Sequence, residues 1–437
     1  MLKLIAIVLC LHFGSFVFAE PIKVICDEFA DAQVQEMTDV VRAVEEQSSR
    51  IFGVDVTGID DDALIELHLQ YLDYKRVDEE LNNGRFRRNW SFSNGGARQS
   101  HIALQPPVPT EMMDVVGLPL QTKIEIAHSA VHLCMYRAFP NSSSHTGWFS
   151  EGLAVYIAEE AVRSIDAMGS KVSEPWTSTE IIQVVDYFEE HPKFGIDDLL
   201  NDVDKDIPGS RMYAMRGLFI QWLDELGLLN EVVSEARRFG GGDSYADKLN
   251  SRVDQIMLDA EISDRDSQFR SWLAEFEPQW EQLNRSLQAS GDLWSHSAFS
   301  SRNANCWNNQ ELGDGNWEIS GSMMIFEAEK TQLNILLGRS ENGYISVAIT
   351  ANWGVTVFYR HTKDDRWERL ENVEVKSNDV DEWIDFKITN RKDRLMIKIG
   401  KQRPIRIDAS ELDLSGAWGL GCQNKSAGVW KDVKIEN

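Results

Sequence analysis

The hydrophobic pattern changes period once along the chain, and that change limits what it can fold into. Up to about Leu283 the apolar residues recur at helical spacing in segments Gln121–Phe139, Trp148–Ile165, Thr179–Phe188 and Tyr213–Leu228. Phe269, Trp272, Leu273, Phe276, Trp280 and Leu283 extend the pattern into one more amphipathic helix. A polar stretch, Asn284–Asp292, reads as a linker. Beyond it the period falls to two, in Trp317–Ala328, Gln332–Leu337, Tyr344–Thr350, Val355–His361, Trp383–Asn390, Arg394–Ile399 and Val429–Ile435. Gly, Asn and Asp turns separate these runs, as in an antiparallel β-sandwich.

Ahead of the helices, Pro21–Cys26 reads as a strand and Ala30–Phe52 as a helix, with Val34, Met37, Val40, Val41 and Val44 on one face. Leu64–Leu72 alternates like a half-buried strand, Tyr74–Leu81 is a short charged helix, and Asn89–Leu104 has the composition of a hairpin. The expected layout is a signal segment at 1–19, an α+β domain at 20–287 and an all-β jelly-roll sandwich at 288–437.

Lys3 followed by the apolar run Leu4–Phe18 and by Val17-Phe18-Ala19 reads as a secretory signal cut before Glu20. No later stretch is apolar for the ~18 residues a membrane helix needs. The protein is therefore expected to be secreted, or to reside in the periplasm or cell envelope, with no transmembrane segment once the signal is removed. A net charge of −26 argues against nucleic acid as a partner, because displacing counterions from phosphates needs a basic surface. Cys26, Cys134, Cys306 and Cys422 include no CxxC unit that would suggest a thiolate metal site. In an exported chain Cys306 and Cys422 are the expected disulfide pair, with buried thiols the alternative.

The chemistry concentrates in two short motifs. Glu125-Ile126-Ala127-His128-Ser129-Ala130-Val131-His132 places two imidazoles one helical turn apart on the same face, where both can reach one cation. Nineteen residues after His132, Glu151 lies early in the next helix within Trp148-Phe149-Ser150-Glu151-Gly152-Leu153-Ala154. Two neutral imidazoles and a carboxylate make a Zn²⁺ donor set with one position left open.

Together these motifs resemble the gluzincin zinc metallopeptidases, whose second motif reads W-x-x-E-G-x-A. The resemblance spans Pro21 to Leu287. It implies zinc held by His128, His132 and Glu151, and a site tyrosine at Tyr213. The family's first motif is HExxH, and its glutamate is the general base; here Ser129 stands in that place. A hydroxyl has no useful basicity near neutral pH, and losing a general base costs ~10²–10⁴-fold in rate. Glu125, a turn before His128, is either a ligand or partner of the site or a solvent-facing helix residue. His145, in the connection between the motifs, is either a stand-in ligand or an exposed loop residue.

The C-terminal run Gly416-Ala417-Trp418-Gly419-Leu420-Gly421-Cys422-Gln423, followed by Asp432, Val433 and Ile435, resembles the closing strands of concanavalin/laminin-G-type modules, including keto-disaccharide hydrolase-like domains. That resemblance implies a lectin-like module. Eight tryptophans lie between Trp294 and Trp430, and they either stack on sugar rings or fill the core. Three functions fit the sequence. The leading one is an impaired or non-catalytic metallopeptidase-like protein binding an extracellular peptide or polysaccharide. The others are an active secreted metallopeptidase with an unusual base, and a structural adhesion scaffold of the cell envelope.

Overall fold

The structure is a computed structural model that describes residues 22–26, 29–57, 64–68, 75–77, 91–94, 99–103, 110–139, 146–165, 174–201, 209–239, 244–276, 280–281, 287–290, 293–297, 303–326, 332–350, 354–373, 382–423 and 426–437. The signal segment, most of Tyr74–Leu81 and His145 lie outside the described residues. Among those residues, no helix is long and apolar enough to cross a membrane.

The N-terminal part opens with a small sheet. Strands β1 (Lys23–Ile25), β2 (Leu64–His68), β3 (Ser91–Asn94) and β4 (Gln99–Ala103) lie in the order β1-β2-β4-β3. β1, β2 and β4 run parallel, and β3 joins the edge of β4 antiparallel. Helix α1 (Asp31–Phe52) crosses between β1 and β2, burying Met37, Val40, Val41 and Val44 along one stripe. Gly53, at φ 64°, ends it in a left-handed cap.

Helices follow: α2 (Thr110–Val116), α3 (Leu120–Ala138), α4 (Gly147–Ile165), α5 (Glu174–Glu190), α6 (Ile196–Leu200), α7 (Gly209–Glu225), α8 (Leu229–Phe239), α9 (Tyr245–Asp259) and α10 (Arg265–Ala274). Ile65 and Leu67 of β2 and Ile102 of β4 point into the helical core, alongside Ile126, Val131, Trp148, Phe149 and Phe219.

Among the described residues, fourteen strands then form two antiparallel sheets of seven. They are β5 (Trp280–Glu281), β6 (Leu287–Ser290), β7 (Leu293–Ser297), β8 (Asn303–Glu311), β9 (Trp317–Phe326), β10 (Gln332–Arg339), β11 (Gly343–Thr350), β12 (Gly354–His361), β13 (Trp367–Val373), β14 (Ile384–Arg391), β15 (Arg394–Ile399), β16 (Ile405–Asp408), β17 (Ala417–Gln423) and β18 (Ala427–Glu436). The first sheet has the order β13-β12-β11-β10-β17-β8-β5 and the second β16-β15-β14-β9-β18-β7-β6. Their facing sides enclose Ile335, Val347, Val357, Ile319, Ile388, Leu420 and Trp430. The β-sandwich expected from the period-two pattern is thus present.

Its beginning differs from the expected layout. The helix predicted through Leu283 ends at Ala274, and β5 (Trp280–Glu281) pairs with β8 (Asn303–Glu311) in the sandwich. The sequence supplies a reason, since a proline at 278 offers no N–H to a helix and a helix running through it would clash. The presumed linker holds β6 (Leu287–Ser290) and leads directly into β7 (Leu293–Ser297). Short polar strands such as these satisfy backbone hydrogen bonds without displaying an apolar alternation.

The expected Cys306–Cys422 disulfide is absent, and the four cysteines among the described residues are buried thiols. Cys306 lies opposite Leu420 and Cys422 opposite Ala304, so the two sulfurs sit on a cross-strand diagonal. Diagonal positions are ~7–8 Å apart, too far for a disulfide's ~3.8 Å Cβ separation. Burial holds the Cys422 thiol well above its ordinary pKa, and the neighbouring Cys306 pushes it the same way.

Candidate metal centre

Two ion pairs fix α3 against α1. Near its start, Glu36 accepts a hydrogen bond from the Leu118 amide (2.8 Å) and pairs with Lys123. Near its end, Arg137 donates to Glu45 (2.9 Å) and to the Val56 carbonyl (2.7 Å), with side chains only 1% and 4% exposed. Such a pair is costly to break, because one partner alone is a buried uncompensated charge.

Helix α4 is held by its own motif residues. Trp148 is fully buried and donates from Nε1 to Asn250 (2.9 Å), whose side-chain amide donates in turn to the Leu200 carbonyl (2.8 Å). Gly152 lets α4 approach α7 closely: a Cβ there would lie 2.7 Å from the Arg216 carbonyl oxygen. Gly217 returns the arrangement from α7, where a Cβ would lie 2.4 Å from Val155. Tyr156 of α4 donates its hydroxyl to Asp224 of α7. In this motif Trp148 and Gly152 are structural, and they aim Glu151 toward α3.

The three residues singled out by spacing converge. His128 Nε2 and His132 Nε2 are 3.1 Å apart, and Glu151 Oε2 is 3.2 Å from the first and 3.3 Å from the second. Donors bound at ~2.0–2.1 Å to a tetrahedral cation stand ~3.3 Å from one another, so this triangle is of chelating size. All three side chains are partly accessible, at 18–25%. Burial of His128 disfavours its charged form, but Glu151 and then Glu125 outweigh this and raise its pKa. Burial would raise the Glu151 pKa, yet the two histidines hold its carboxyl well below the usual range.

Tyr213 belongs to the same neighbourhood, its ring edge-on to His128 with centroids 5.9 Å apart. Although the residue is 41% exposed, partial desolvation of its hydroxyl pushes it up to about 12, and Glu151 adds to the shift. Glu125 accepts a hydrogen bond from Gln121 (2.9 Å) and acts on His128 and Tyr213 through its charge, not as part of the triangle. Ser129 is 2% exposed. With this donor set, a borderline cation such as Zn²⁺ suits His128, His132 and Glu151.

No family model matches the chain, and no curated protein matches it. Solved structures similar to part of it include carbohydrate binding module CBM66 from Bacillus subtilis, at 13% identity and a TM-score of 0.32, over 36% of this chain and 96% of that one. The exoplasmic/lumenal domain of VIP36, in a Ca²⁺/Man3GlcNAc-bound form, is similar at 14% identity and a TM-score of 0.30, over 36% and 84%. The carbohydrate recognition domain of Emp47p is similar at 10% identity and a TM-score of 0.29, over 37% and 89%. At such scores a likeness carries neither fold nor function. The sandwich is defined by its own strand pairing, and its surface by its own residues.

The tryptophans of the sandwich differ in burial. Trp317, Trp418 and Trp430 are buried in its core. Trp367, on the edge strand β13 (Trp367–Val373), is 39% exposed. Register places it beside Arg360 of β12 (Gly354–His361), which lies beside Tyr344 of β11 (Gly343–Thr350). Arg360 stacks over both rings, at 5.2 Å from Trp367 and 5.9 Å from Tyr344, and donates to the Tyr344 hydroxyl (3.2 Å). Trp307 packs edge-on to Tyr344 at 4.9 Å, with Arg339 over its ring. This ladder of aromatic and guanidinium faces lies on the outer side of its sheet.

Sequence reasoning passed over Glu66, His68 and His101, whose donor atoms also gather. Burial lowers the His101 pKa against the pull of Glu66, which favours the neutral ring. The signal was the pair Glu66 and His68, two apart on a strand and therefore on one face.

Proposed function

We propose that this is an extracellular recognition protein carrying a zinc site of gluzincin type that no longer hydrolyses peptides, joined to a sandwich that binds glycan. The observation that carries the reading is the triangle of His128 Nε2, His132 Nε2 and Glu151 Oε2, beside a buried Ser129 where a carboxylate base would be needed. His128 and His132 would bind the cation as neutral imidazoles, and Glu151 would offset its charge. Zinc supplies Lewis acidity toward a carbonyl oxygen. The Tyr213 hydroxyl, kept protonated at neutral pH, can donate a hydrogen bond to a peptide carbonyl placed next to His128. The Ser129 hydroxyl cannot take a proton from an attacking water and return it to the leaving amine. A peptide is therefore held and not cut.

The glycan part rests on Trp367, the exposed aromatic of the outer face, beside the Arg360 guanidinium that covers the buried Tyr344; an exposed indole suits a sugar ring and a guanidinium its hydroxyls. Glu125 favours a second reading for the first site, a peptidase using a displaced base, because its charge reaches both His128 and Tyr213.

Zinc-loaded full chain, incubated with a mixed peptide pool, separates the two. The expected result is no chelator-sensitive cleavage by the wild type and measurable cleavage by Ser129→Glu, with a gain of ~10²-fold or more. Rapid wild-type cleavage abolished by chelator would replace the proposal with the second reading.

A further inference from the structure

The far side of the small sheet carries metal-ligand chemistry of its own. Glu66 and His68 alternate along β2 with Ile65 and Leu67, which enter the helical core. Their side chains therefore leave the opposite face. Parallel pairing sets His101 of β4 directly beside Glu66, while Ile102, the next residue, enters the core. One glutamate and two histidines thus meet on a face away from the helices. Both imidazoles are buried, at 8% and 4% exposure, whereas the Glu66 side chain keeps 33%.

The donor separations are of a size that chelation can use. His101 Nδ1 lies 3.3 Å from Glu66 Oε2 and 3.4 Å from His68 Nε2, and His68 Nε2 lies 3.9 Å from Glu66 Oε1. Hydrogen bonds of this type centre on ~2.9–3.0 Å, so all three separations are long. Bonds of ~2.0–2.1 Å to a tetrahedral cation generate donor separations of ~3.3 Å, which the set approaches.

We infer that Glu66, His68 and His101 form a second zinc site, structural in role, that clamps β2 to β4. Two imidazoles and one carboxylate select a borderline divalent cation over Ca²⁺ or Mg²⁺, which favour oxygen-only cages. Glu66, the accessible member, provides the approach from solvent and leaves one coordination position for water. The clamp ties together the two parallel strands whose other face supports α3, the helix bearing His128 and His132. It does not depend on the helical site being loaded.

Zinc chloride titrated into the full chain, read by calorimetry and by thermal melting, tests this site. His128→Ala/His132→Ala removes the helical site, and that variant is expected to retain one equivalent of zinc and to melt higher when zinc is added. Adding Glu66→Gln should weaken the retained equivalent by roughly tenfold or more, since even outer partners of metal ligands contribute 10–100-fold. Adding His101→Gln should abolish it. Glu66 is accessible, so Glu66→Gln reads out binding even if replacing a buried histidine unfolds the chain. A helical-site variant that binds no zinc, or whose binding ignores both Glu66→Gln and His101→Gln, overturns the inference. A wild type with one equivalent, lost through Glu66 and His101 but untouched by His128→Ala/His132→Ala, supports this site and removes the helical one.

Discussion

Individual residues decide whether each part of this molecule binds or merely packs. At Trp317, Trp418 and Trp430 the indole is core, and truncation there would cost ~3–5 kcal/mol. At Trp367 the indole is 39% exposed and is held by Arg360 on an edge strand. Trp367→Ala is therefore expected to leave the melting temperature within a few degrees of wild type and to abolish retention on a polysaccharide panel. Unchanged retention would move the glycan surface elsewhere. The sequence showed eight tryptophans but not this division, because burial depends on which face of which strand each occupies. The histidines were more legible: spacing alone put His128 and His132 on one helical turn. Glu66, His68 and His101 were not, because their meeting depends on the pairing register of β2 with β4.

Elements carry the geometry of the helical site, chiefly through the crossing of α4 and α7. Gly152 places the α4 backbone against the Arg216 carbonyl, with no room for a methyl group. Gly152→Ala should force the helices apart, costing ~1–3 kcal/mol of stability. It should also weaken zinc binding, since Glu151 moves with α4 while His128 and His132 stay with α3. Denaturant melts and zinc titration of the variant check both effects; normal stability with normal affinity would show that the crossing does not position Glu151. Helices such as α3 and α4 were readable because long amphipathic runs declare themselves. Strand β5 was not: Trp280 falls on a helical spacing from Phe276 and Leu273, and only Pro278 signals the break.

At the scale of the whole molecule, the two parts share a packed seam. Met112 and Val116 of α2 bury against Met324, Phe326, Ala427 and Val429 on the outer face of the second sheet. Trp294 packs against both main cores. A sandwich expressed from residue 279 onward keeps β5 and its pairing but exposes that apolar face. It should fold as an all-β unit, yet melt below the full chain and self-associate more readily. In the full chain, Met112→Asp should lower the sandwich transition, and scanning calorimetry would show it; an unaltered transition would mean the parts are only tethered.

The central claim, that His128, His132 and Glu151 hold zinc, is tested most directly by anomalous scattering above and below the zinc edge from crystals of the full chain. The account predicts a zinc peak within about 2.0–2.3 Å of both Nε2 atoms and of the Glu151 carboxylate. Zinc-supplemented crystals with no peak between those three residues would contradict it.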